Sequence, residues 1–168
     1  MKPAIILQNG SKLNEQQFVH YFERKVLYTI RKFKFLGGIK QKLSIKELFL
    51  FNKIGNIQIS HECLDDISVL ILQAMMKNKG KQRISLLLPR YKNIIRPFYL
   101  MSREEMLLYS KIKKVKFMNN LPQITKKHKI TNNIQISELN SFLDELWKNQ
   151  KNIKNSIVNS LLKIENLL

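Results

Sequence analysis

The sequence predicts a helix-rich α/β fold with a small, mostly parallel sheet, and three observations carry that expectation. The first is the stretch 57–76. There an alternating segment, Ile57-Gln58-Ile59, runs through Cys63-Leu64-Asp65-Asp66 into an apolar helix over about 64–77. The second is a pair of short apolar segments at 84–88 and 94–98, each bounded by turn or breaker residues. The third is helical periodicity at both ends of the chain. At 168 residues the chain reads as one domain with a modest core. Its parts are a strand, turn and basic helix in 1–36, an α/β core in 40–114, and a C-terminal helical pair in 137–168.

Taken in order, residues 4–7 read as extended and Asn9-Gly10-Ser11 as a turn. Asn14 with Gln17 forms a capping box that opens a helix to about Phe33, with Phe18, Phe22, Val26 and Ile30 on its inner face and Val19 beside them. Gly37-Gly38 ends it. Ser44 with Glu47 opens a second helix, or the helix starts earlier at Lys40; its apolar side is Leu43, Leu48 and Phe51. The helix after Asp66 is apolar almost all round (Ile67 to Met76), which predicts burial. Residues 84–88 read as a strand or a last apolar turn, stopped by Pro89. Pro97 holds Arg96 out of helical geometry. Ser102 with Glu105 opens a helix through Lys114. A long loop is expected over 115–136. Two helices follow, 137–148 with Leu139, Phe142, Leu143 and Leu146 inward, and 152–168 with Ile153, Ile157, Leu161, Ile164 and Leu168 inward.

Lys and Arg number 30 against 12 acidic residues, a net charge of +18, and that field predicts a polyanionic partner, with nucleic acid ahead of anionic membrane. Composition offers a second source for the charge. Lys, Asn and Ile are abundant, as in AT-rich genomes, and Lys outnumbers Arg 24 to 6. The candidate nucleic-acid contacts are Arg24, Lys25, Arg31, Lys32, Lys34, Arg90, Lys92, Lys113, Lys114, Lys126, Lys127 and Lys129, argued as a cluster rather than singly. No apolar run reaches the ~18 residues of a membrane span. The start, MKPAIILQNG, lacks the features of a secretory signal. The single cysteine, Cys63, excludes an internal disulfide and a multi-cysteine zinc site, and a reducing, cytoplasmic setting is expected. Cys63 reads either as a nucleophile or as a small buried residue. His20, His61 and His128 show no metal spacing.

The order of the motifs resembles the TtuA/cytoplasmic tRNA 2-thiolation family. The segment FVHYFERKVLYTIRKF, from Phe18 to Phe33, looks like that family's N-terminal helix, and Ser60-His61-Glu62-Cys63-Leu64-Asp65-Asp66 is similar to its GHxLDD turn. Ile94-Ile95-Arg96-Pro97-Phe98 is similar to its RIKPL strand, Ser102 to Tyr109 to the helix after it, and 139–162 to its closing helices. The resemblance implies a Rossmann-like core of the adenine-nucleotide alpha-hydrolase type, here reduced to a remnant. The family's SGGxDS phosphate loop has no match: Gly37-Gly38 is followed by Ile-Lys-Gln. The zinc ribbons are missing, Leu121-Pro122 stands where a reactive cysteine precedes proline, and Glu62 takes the histidine position of the turn.

In intact relatives the resemblance places the two aspartates at the nucleotide site, where Mg²⁺ binding is one role for them. Here Asp65 and Asp66 read either as that motif's vestige, serving as helix-terminal charge and cap, or as a rebuilt nucleotide site. The resemblance implies a non-catalytic, cofactor-free subunit of a tRNA-thiolating complex. It would pair with a catalytic paralogue or with itself and would contact tRNA. A stand-alone RNA-binding module and an active ATP-dependent sulfurtransferase are the alternatives.

Overall fold

Helix α1 (Glu15–Lys32) starts where its sequence signal stands: the Asn14 carboxamide accepts from the Gln17 N–H at 2.9 Å, and the Gln17 side chain accepts from the Asn14 N–H at 2.9 Å. Phe18, Phe22, Val26 and Ile30 are buried along one face. Ser44 and Glu47 open α2 (Ile45–Leu50) by the same reciprocal bonds. The computed structural model describes residues 5–6, 12–35, 44–76, 84–115, 133–150 and 152–166. The alternative start of α2 at Lys40, the glycine stop at 37–38 and most of the expected long loop lie outside them. Ahead of α1, β1 (Ile5–Ile6) pairs antiparallel with β2 (Lys12–Leu13), a strand not anticipated from its polar sequence.

The main sheet has four short strands: β3 (Lys53–Ile54), β4 (Ile57–Ile59), β5 (Arg90–Tyr91) and β6 (Ile94–Ile95). Their order is β3-β4-β6-β5. Only β4 and β6 are parallel, with Gln58 opposite Ile94 and Ile59 opposite Ile95. The sheet is therefore mixed where a mostly parallel one was expected. The reason is local: each central strand is entered through a two-residue turn that folds a two-residue strand back on it. Gly55, at φ +57°, supplies the left-handed backbone the first turn needs. Lys92 adopts φ +53° in the second without glycine's freedom. Residues 84–88 are the last apolar turn rather than a strand: the Leu87 N–H donates to the Ile84 carbonyl at 2.9 Å.

Helix α3 (Leu64–Met76) leaves β4 through the acidic turn. It is buried from Leu64 to Ala74 on most sides, but Met75 and Met76 are exposed, contrary to the expected all-round burial. After β6, the Ser102–Glu105 capping box opens α4 (Arg103–Lys113), and Lys114 at φ +53° ends it. The chain then forms α5 (Asn133–Asn149) and α6 (Ile153–Asn166), both packed on α3.

Two apolar clusters result. One joins α1, α2 and α4 to the sheet through Phe22, Phe49, Ile59, Phe98 and Tyr109. The other joins α3 to α6 through Ile67, Ile71, Val158 and Leu161. The inward stripe of α6 is Lys154, Val158 and Leu161, one residue on from the expected Ile153 and Ile157, which are half-buried. Ile164 is exposed, and so are Phe142 at 52 % and Phe51, three apolar positions expected inward. Phe49 fills the core in place of Phe51. A long basic side chain on the buried stripe of α6 follows from what it meets there.

Candidate functional site

The acidic turn sits where the parallel pair β4/β6 hands the chain to α3 and α4. The Cys63 N–H donates to Asp66 Oδ2 at 3.0 Å, closing the first turn of α3. The Leu64 N–H donates to the Met101 carbonyl at 2.8 Å and ties this turn to the one before α4. Asp65 Oδ2 accepts from the Arg103 N–H, the first helical amide of α4, at 2.8 Å. Asp65 Oδ1 accepts from Lys154 Nζ at 2.6 Å, and Lys154 also reaches Asp144 at 2.8 Å. Asp66 Oδ1 accepts from the Arg103 guanidinium. Both aspartates thus carry a cationic partner, and together they fasten the starts of α3 and α4 to α6. Lys154 is only 7 % exposed. Burial works against its charge, but the bonds to Asp144 and Asp65 outweigh that and hold its pKa above the usual lysine value.

Cys63 is fully buried beneath this turn, with Sγ 3.1 Å from Asp66 Oδ2. Burial, and then the charges of Asp66 and Asp65, push its thiol well above the ordinary range. A thiolate nucleophile needs the opposite environment. Among the described residues, no three of His, Cys, Asp and Glu gather as a metal-binding group.

A second charged pair lies in the core and has no precedent in the sequence reading. Arg96 is 0 % exposed. Its Nε donates to Glu62, its Nη1 to the Leu88 carbonyl at 2.5 Å and its Nη2 to the Leu86 carbonyl at 2.7 Å. Glu62 is itself buried, and its Oε1 has no partner among the described residues. Arg96 thereby clamps the apolar turn at 84–88 onto the end of β6. The available signal was Arg-Pro inside an apolar strand, which puts an arginine where burial is expected.

The basic candidates divide. Lys25 pairs with Glu105 at 2.8 Å, and Lys113 lies 3.7 Å from Glu23, so both link α1 to α4. Arg24, Arg31 and Lys32 are exposed on α1, and Arg24 and Arg31, seven residues apart, share a face. Lys34 is exposed, and its carbonyl accepts from Arg90 Nη1 at 2.9 Å, which brings the end of α1 to β5. Lys92 stands 5.4 Å from the ring centre of Tyr91, and Lys114 is exposed at the end of α4. Lys126, Lys127 and Lys129 lie outside the described residues. The structure thus gathers Lys32, Lys34 and Arg90 in one region. The residues the sequence reading missed are Arg103 and Lys154, which hold the aspartates, and the Glu62–Arg96 pair.

No family model matches the chain, and no curated protein matches it in sequence. In structure it is similar to the U34-tRNA thiolase NcsA from Methanococcus maripaludis, solved with its [4Fe-4S] cluster: TM-score 0.66, 14 % identity, covering 99 % of this chain and 86 % of that one. Clusters of that type are held by cysteine thiolates. The single, buried cysteine of these 168 residues does not fit such a ligand set. At this identity the likeness establishes the fold: the chain has the helix-rich α/β architecture of that thiolase, with a small mixed sheet.

Proposed function

We propose that the chain is a non-catalytic partner subunit of a tRNA 2-thiolation complex, supporting a catalytic paralogue and adding basic surface for tRNA. The observation that carries this reading is the state of the aspartate pair. Asp65 and Asp66 stand at the turn that the family resemblance marks as the nucleotide site, yet their carboxylates are engaged by Lys154 and Arg103. A Mg²⁺–nucleotide would have to displace both cations. Three further features agree: no SGGxDS loop is present in the sequence, the one cysteine is buried with its pKa raised, and the fold is that of a tRNA thiolase. The exposed cations of α1 and β5 would hold phosphates and position RNA without reading its sequence.

Affinity purification from the native cell, with mass spectrometry of proteins and sequencing of bound RNA, tests the proposal. Recovery of a PP-loop thiolase together with tRNA is the expected result. Recovery of RNA without a thiolase points instead to a stand-alone RNA-binding module. ATP consumption by the purified chain that disappears in Asp66→Asn would overturn the non-catalytic reading.

A further inference from the structure

A cleft among the described residues joins segments that are far apart in sequence. It runs between the C-terminal end of α1, the segment leading into β5, and the outer face of α6, and encloses about 640 Å³. Lys32, Arg90 and Lys163 stand around it, Phe33 and Leu88 contribute apolar surface, and Asn159 offers an amide. None of its described lining residues is acidic. The volume falls within the ~300–1,000 Å³ of small-ligand sites. The Arg90 guanidinium is held in place by its bond to the Lys34 carbonyl, which lowers the entropy lost when it engages an anion.

We infer that this cleft binds a segment of single-stranded RNA, with phosphates on Lys32, Arg90 and Lys163 and a base laid against Phe33 and Leu88. The inference rests on the RNA reading above and assigns it a place. Three observations favour a chain polyanion over other anions. The positive track continues beyond the cleft: Arg24, Tyr28 and Arg31 are exposed along α1, and Lys32 lies 5.8 Å from the Tyr28 ring centre. Two helical turns separate Arg24 from Arg31, roughly 10 Å of track. Among the described residues the lining offers no carboxylate to share a Mg²⁺ with a free nucleotide triphosphate. Phe33 and Leu88 are half-buried and share the lining with exposed cations, which suits base stacking in a cationic groove and not insertion into a lipid interface.

The test is fluorescence anisotropy with a labelled unstructured RNA, titrated between about 50 and 200 mM salt, the range over which phosphate contacts weaken most visibly. Wild type is compared with Lys32→Ala/Arg90→Ala/Lys163→Ala and with a charge-matched control, Lys46→Ala/Lys53→Ala/Lys111→Ala, whose targets are exposed elsewhere. With ~0.7 counterions released per single-strand phosphate contact, the cleft variant loses about 2 from the salt slope. Its affinity then falls roughly twenty-fold less than that of wild type across the titration. The control keeps the wild-type slope. A second variant, Lys32→Glu/Lys163→Glu, leaves the Arg90–Lys34 bond intact and also loses binding.

Wild-type binding that survives unchanged in both cleft variants overturns the cleft assignment and leaves the RNA reading standing. Failure of the wild type to bind RNA even at the lowest salt overturns both. Binding to phosphatidylserine vesicles without binding to RNA overturns both in favour of a membrane surface.

Discussion

Arg96→Met is the perturbation whose cost follows most directly from the structure. The guanidinium is wholly buried and makes three polar contacts, to Glu62 and to the carbonyls of Leu86 and Leu88. Methionine fills much of the space and supplies no donor. The Glu62 carboxylate is then left in the core with neither oxygen paired among the described residues, since Oε1 has no partner there to begin with. Breaking a buried ion pair from one side costs roughly 3–5 kcal/mol. For a chain of this size each kcal/mol lowers the melting temperature by about 2–4 °C, so the expected loss is roughly 6–20 °C. Glu62→Leu/Arg96→Met removes both charges and should be more stable than Arg96→Met alone, because no uncompensated charge remains. Equilibrium urea unfolding followed by circular dichroism measures all the variants. A loss below about 1 kcal/mol for Arg96→Met would refute the buried clamp. So would a double variant whose loss equals the sum of the two singles.

Three further outcomes are expected. The His61 imidazole donates from Nε2 to the Leu48 carbonyl at 2.8 Å, and burial holds its pKa below the ordinary 6.5 despite that bond. The unfolded chain therefore takes up the proton first as pH falls, so unfolding free energy drops from about pH 6.5 downward to the folded value, and His61→Gln should remove that part of the slope in urea titrations. Lys154→Ala should cost about 1–3 kcal/mol by stripping Asp65 and Asp144 of a charged donor, and amide hydrogen exchange should quicken over α6 before α1; unchanged exchange over α6 would count against the fastening. Native Cys63 should resist thiol reagents at neutral pH and react at the rate of unfolding, whereas prompt labelling would contradict its burial.

Much of the helical skeleton was legible because its signals are local. Asn14, Ser44 and Ser102 each cap the helix their sequence announced, with Gln or Glu three residues on. The Phe18–Ile30 stripe buries as its spacing required. The strands were harder. Two-residue pairings such as Lys53–Ile54 and Arg90–Tyr91 carry too little pattern to register, so the antiparallel edges of the sheet went unseen. The stripe of α6 shifted by one residue because periodicity alone treats Lys154 as outward. Its burial depends on Asp65 and Asp144, 89 and 10 residues away.

By itself the sequence determined the helix starts, the acidic corner at Asp65-Asp66, the lack of an SGGxDS motif and the single cysteine in these 168 residues, and the strength of the positive field. These are properties of neighbouring residues and of composition. Only the tertiary structure decided what the charges do. It seated Lys154 and Arg103 on the aspartates, buried Arg96 against Glu62, and tied Lys25 to Glu105 while drawing Lys32, Arg90 and Lys163 around one cleft. A charge acts over a few ångströms of space, and which residues share that space is set by the packing of α1, α3, α4 and α6 and not by their order in the chain.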